Sequence, residues 1–97
     1  MKIRYHASAR IEVIESANYY AAIRPELGLA FLGELDTLIS TIAVDPLRYE
    51  QVRPGIHRCL MNRFPYGIYY RVPDAETIRI IIVRHHSRRP WFGMRRK

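Results

Sequence analysis

His85 and His86 stand side by side near the C-terminal end of the chain. Arg84 precedes them and Arg88, Arg89 and Arg95 follow, with Arg58 and Arg63 earlier in the same half. Imidazoles titrate near neutrality, and guanidinium groups hold phosphate through paired hydrogen bonds. These groups could cut RNA without a metal. One takes the 2′-hydroxyl proton, another protonates the leaving oxygen, and cations stabilise the charge of the phosphorane. Arg58, Arg84, His85 and His86 are the candidates for that chemistry. Neighbours on a strand point to opposite faces, so at most one of the two histidines serves a given site. The set is chemically sufficient but unspecific, and the plain alternative for His86 is a turn histidine bonding backbone at a strand end.

Other chemistries find less support. The histidines are adjacent, and no Cys or carboxylate near them has ligand spacing, so no metal is expected. Neither a Ser-His-Asp or Cys-His arrangement nor a phosphate-cradling glycine loop is present, and no cofactor is expected. Trp91 could stack on a base, insert into a protein pocket, or pack over an open sheet edge. Arg63, Arg84, His86, Arg88, Arg89, Trp91 and Arg95 are the candidate contacts to a target or partner. Tyr66, Tyr69 and Tyr70 read as sheet packing with a polar rim. Cys59 is the single cysteine, which excludes an internal disulfide, and its apolar surroundings predict a buried, inert thiol.

The charge is unevenly placed. The chain carries +7 overall, yet residues 1–50 hold five bases against seven acids, while residues 51–97 hold eleven bases against only Asp74 and Glu76. A solvated surface ordinarily mixes signs, so a one-sided excess points to an acidic partner, either nucleic acid or an acidic protein segment. A basic surface kept for solubility is the alternative.

The elements that must position these residues follow from pattern. Lys2 to His6 alternates as a short strand. Ser8 is the predicted N-cap of a helix over Ala9–Ile23 with an apolar stripe of Ile11, Ile14, Ala17 and Ala21. Arg24-Pro25 ends it and opens a second helix, whose stripe is Leu27, Phe31, Leu35, Leu38 and Ile42 and which closes at Asp45-Pro46. Gly28 and Gly33 weaken that helix unless they permit close helix contact. Leu47–Gly55, which follows Pro46 and ends in Pro54-Gly55, reads as a loop. Ile56–Arg63, Tyr66–Val72 and Thr77–His85 read as strands, the last two flanking the turn Pro73-Asp74-Ala75-Glu76 as a hairpin. On the last strand, Ile78, Ile80, Ile82 and Arg84 should share one face, and Arg79, Ile81, Val83 and His85 the other. Apolar residues on both faces predict a central strand.

At 97 residues the chain is expected to form one domain, spanning 1–97. Helices and strands that do not alternate predict an α+β fold of order β-α-α-β-β-β. A helical hairpin would pack on one face of a small, mostly antiparallel sheet, followed by a short basic C-terminal tail. The other face should be only partly covered. No apolar run of about 18 residues and no leader peptide is apparent, so a cytoplasmic protein without a membrane association is expected.

Several motifs in this order resemble the RelE/ParE superfamily of toxins from bacterial type II toxin–antitoxin pairs. They are Tyr19-Tyr20, Pro25-x-Leu27-Gly28-x-x-Phe31, Asp45-Pro46, Arg58, Phe64-Pro65-Tyr66-x-Ile68-x-Tyr70-Arg71 and His86-x-Arg88-x-Pro90-Trp91. The match runs nearly end to end. The Phe-Pro-Tyr strand and the His-x-Arg-x-Pro-Trp ending are most similar to the ParE branch. That branch implies inhibition of DNA gyrase without chemistry of its own, growth inhibition, plasmid stabilisation, and neutralisation by a cognate antitoxin in a hetero-oligomer. The RelE branch implies a ribosome-dependent mRNA endoribonuclease instead. A binding module that is no longer toxic is the third possibility.

Overall fold

The structure, a computed structural model, describes residues 1–97. The order is β1 (Lys2–Tyr5), α1 (Ala7–Ile23), α2 (Pro25–Val44), β2 (Gln51–Arg53), β3 (Ile56–Leu60), β4 (Tyr66–Asp74) and β5 (Thr77–His85). The five strands form one sheet in the order β1-β5-β4-β3-β2. β1 runs parallel to β5, and every other neighbouring pair is antiparallel. The α+β class, the helical hairpin and the mostly antiparallel sheet agree with the sequence.

Several local expectations need correction. The N-cap of α1 is His6, not Ser8. His6 donates its backbone N–H to Ile80 O at 2.8 Å, which keeps the chain extended through that residue. The helix therefore starts directly after it, and His6 Nδ1 accepts the Ser8 N–H at 3.1 Å. The stripe on α1 is also misplaced, because Ile11 and Ile14 are exposed while Ala9, Ser16 and Ala17 are buried. The reason lies in α2. A Cβ at Gly28 would sit 2.8 Å from Ala21 Cβ and 2.9 Å from Ala17 O, so the helices touch through small residues and the isoleucines turn outward. At Gly33 the space is open, so only Gly28 serves close contact.

The α2 stripe holds. Phe31, Leu35, Ile39 and Ile42 are buried and Leu38 packs against them. By length and composition alone, α2 is apolar enough to cross a membrane, although Glu34 and Asp36 interrupt its apolar run. Here its apolar face lies in the core, and Glu34 accepts the backbone N–H groups of Asn62 and Arg63.

The segment read as a loop contains β2, whose Gln51 Oε1 accepts the Gly55 N–H at 2.6 Å across a turn with Gly55 at φ 76°. β3 ends at Leu60, short of Arg63, and β4 runs on through Pro73 to Asp74. Pro73 is tolerated because the β4–β5 register shifts between Arg71 and Asp74, where the missing N–H costs no ladder bond.

The largest correction is in β5. Tyr69 pairs with Ile82 but Tyr70 with Ile80, so Ile81 is an extra residue, a β-bulge. The alternation predicted for this strand breaks there. Ile78, Ile80 and Val83 join the helix-side core with Ile68, Tyr70 and Phe31, whereas Ile81 and Ile82 form a second cluster with Ile56 and Tyr69. That second face is roofed by the tail, whose Phe92 and Met94 pack on the cluster.

Candidate functional site

The tail is held by arginines that the sequence offered as functional. Arg84, placed by the bulge on the roofed face, is buried. Its Nη1 donates to the carbonyls of Arg89 (3.1 Å), Pro90 (3.2 Å) and Phe92 (2.8 Å), and its Nη2 to the Tyr69 hydroxyl at 2.9 Å. Arg96 pairs with Glu12 at 2.9 Å and donates to Ile81 O at 2.9 Å. Arg71 and Arg79 donate to the carbonyls of Arg96 (3.1 Å) and Lys97 (2.8 Å). Gly93 completes the docking at φ 76°, where a Cβ would lie 2.7 Å from Ile82 Cγ1.

The four groups proposed for cleavage do not gather in one place: Arg84 and His85 line one cleft with Glu12 and Glu15, Arg84 and Arg58 line another, and His86 lines neither. Arg84 is engaged by the tail. Arg58 is bound to Glu50 at 2.7 Å, a bond that raises its pKa further above the ordinary guanidinium value. His85 Nδ1 accepts the Ser87 N–H at 2.9 Å, and its ring lies edge-on to Tyr66. His86 is exposed and donates its backbone N–H to Pro65 O at 2.9 Å, the plain turn role weighed for it. No three His, Cys, Asp or Glu side chains gather as a metal site requires. Tyr66, Tyr69 and Tyr70 are buried, and Tyr70 donates its hydroxyl to Pro46 O at 2.5 Å. Burial pushes the Cys59 thiol upward in pKa, which keeps it protonated and unreactive.

What remains outward is a cationic rim. Of the bases after residue 50, only Arg58 and Arg96 form ion pairs with the chain's own carboxylates. Arg63, Arg88, Arg89 and Arg95 are exposed, and the guanidinium of Arg89 lies 5.6 Å from the centre of the Trp91 ring. Trp91 is 63% exposed, so the residue that packs down onto the sheet is its neighbour Phe92. Arg53 joins this rim, lining one cleft with Trp91 and Arg95. Sequence reasoning missed Arg53 because nothing in Val52-Arg53-Pro54 announces a strand, and only the β2–β3 pairing carries it to the tail. Glu12 was missed likewise, since its partner Arg96 is 84 residues away.

A helical hairpin on one face of a mixed sheet, with a basic tail across the other, defines a small α+β domain. Residues 3–90 match the family described as the ParE toxin of the type II toxin–antitoxin system, parDE. The chain belongs to that family, and the ParE-branch motifs in its sequence are thereby explained. It is also similar to a solved chain described as "Chromosomal ParDE TA system from P. aeruginosa". That likeness has a TM-score of 0.74 at 16% identity and covers 88% of this chain and 95% of that one. At such identity it speaks for the fold. No match is found among curated proteins.

Proposed function

We propose that this chain is the toxin of a type II toxin–antitoxin pair, that it inhibits DNA gyrase by binding rather than by cutting RNA, and that a cognate antitoxin neutralises it in the cytoplasm. The observation that carries the reading is the fate of Arg84. The arginine best placed to serve phosphate chemistry is buried and bonded to three tail carbonyls, while Arg88, Arg89, Arg95 and Trp91 face outward on the segment it fixes. A rim of that kind suits a protein or protein–DNA target, with aromatic and arginine anchors. The antitoxin has a separate seat available. Ile11, Ile14, Leu29 and Leu32 are exposed on the helical hairpin, a surface suited to an amphipathic helix.

The test is induced expression of the intact chain without its partner, followed by a supercoiling assay with purified gyrase and mapping of cellular RNA. Growth arrest with lost supercoiling and whole mRNA is expected, and the Arg88→Ala, Trp91→Ala double variant should abolish both effects. Codon-linked mRNA cleavage by the purified protein with ribosomes would overturn the reading.

A further inference from the structure

Three clefts adjoin along the tail. The first, about 630 Å3, is lined by Ser87, Arg88, Arg89 and Trp91 among others. It shares Trp91 and Gly93 with a second of about 650 Å3, which adds Arg53 and Arg95. That cleft shares Arg53 and Met94 with a third of about 400 Å3, which reaches Arg58 and Tyr69. Through these shared residues the three adjoin as a tail-side groove, and no Asp or Glu lines any of them.

We propose that this groove binds a single strand of DNA directly, with Trp91 stacking on an unpaired base and Arg53, Arg89 and Arg95 holding backbone phosphates. Arg58 and Arg96 are paired with Glu50 and Glu12, but Arg53, Arg88, Arg89 and Arg95 have no carboxylate partner, and such guanidinium groups attract phosphate and repel basic surfaces. The aromatic ring selects a nucleic acid over an acidic protein segment. Trp91 stands exposed between cationic groups, with Arg89 against it, and interleaved aromatic rings and arginines form the platform on which unpaired bases stack. The exposed isoleucines, with Leu29 and Leu32, lie on the helical hairpin, so the rim offers a target chiefly cations and one aromatic ring. The choice of DNA over RNA rests on the gyrase reading, whose target handles DNA. On this inference the toxin grips the nucleic acid as well as the enzyme.

Trp91 is the only tryptophan in the chain, so its fluorescence reports the groove and nothing else. The experiment titrates the intact protein with a short oligodeoxythymidine and follows quenching across a salt series. Binding should quench Trp91, and log K should fall with log salt at a slope of about −2 to −3, as expected for three or four phosphate contacts on a single strand. Arg53→Ala should weaken binding about tenfold at low salt, whereas Arg24→Ala, on the helical hairpin and ion-paired with Glu26, should leave it unchanged. Trp91→Ala, followed with a labelled oligonucleotide, should lose roughly tenfold or more for the single strand and far less for a duplex.

No quenching at low salt overturns the proposal. So does equal weakening by Arg24→Ala, which would mean diffuse charge attraction, or competition by polyglutamate at equal charge concentration. An oligoribonucleotide binding more than tenfold tighter overturns the choice of DNA. The gyrase reading fails separately: strand binding with normal supercoiling refutes that reading alone, and lost supercoiling without strand binding refutes this one alone.

Discussion

The two faces of the sheet are closed by different physics. On the helical side, Phe31, Leu35, Ile39 and Ile42 of α2 meet Ile68, Tyr70, Ile78, Ile80 and Val83 in a single apolar cluster, with Tyr20, Phe31, Phe64 and Tyr66 in mutual aromatic contact. On the tail side only Ile56, Tyr69, Ile81 and Ile82 are buried together, and charge-assisted hydrogen bonds from Arg84, Arg96, Arg71 and Arg79 do much of the holding. The helical side keeps its shape by non-directional burial of close-packed apolar side chains. The tail side depends on a few directional bonds to backbone carbonyls, so the position of Trp91 and its arginines is set by guanidinium geometry. A recognition surface gains from being fixed in this way, at little demand on core volume.

That contrast can be broken in four places. The largest effect belongs to Phe31→Ala, which opens the aromatic cluster and should cost about 3–5 kcal/mol. In urea denaturation the midpoint should fall sharply, and hydrogen exchange should rise throughout the sheet. Next comes Arg84→Ala, which strands three carbonyls and the Tyr69 hydroxyl and should cost about 2–3 kcal/mol. Faster exchange should then be confined to residues 89–96. If it spread equally into α1 and α2, the two faces would not be independent.

Gly93→Ala should cost roughly 1–2 kcal/mol through its left-handed backbone alone, with the contact to Ile82 adding to it. The readout that sharpens the comparison is Trp91 fluorescence anisotropy, which should drop as the tail loosens while the helical circular dichroism stays constant. The smallest effect is at the β4–β5 turn, which belongs to neither face. The Glu76 N–H holds the Asp74 carboxyl below its ordinary pKa. The stability it adds is present above the unfolded carboxylate value and lost as pH falls through the lower folded value. Asp74→Asn should therefore lower stability slightly at neutral pH, flatten the acid limb of the pH–stability curve, and change nothing once the pH lies below the folded value.

Most of the helical side was legible in the sequence. The α2 stripe, the helix-ending prolines and the side shared by Ile68 and Tyr70 all rest on local periodicity. The tail side was not. The run Ile80-Ile81-Ile82-Val83 is apolar at every position, so alternation could not reveal that Ile81 is a bulge, and the bulge decides which side Arg84 takes. Ile11 and Ile14 misled for a related reason. Period alone cannot tell which apolar face a helix buries when its neighbour offers Gly28 and calls for alanines instead. The residues Arg88, Arg89, Trp91 and Arg95, offered by the sequence as candidate contacts, lie exposed, and for Trp91 the alternative of packing over the sheet edge falls to Phe92 instead. Arg53 and Glu12 depended on long-range pairing that no window of sequence contains.

The single parallel ladder carries a consequence for how the molecule comes into being. β1 has no strand neighbour except β5, so the first strand made waits for the last. At ribosomal speeds of about 5–20 residues per second, that delay is about 4–16 s. The helical hairpin needs only residues 7–44, all of which are made before the strands β2 to β5. A partner that grips α1 and α2 can thus meet the newborn chain before its sheet, and the cationic tail laid across it, exist at all.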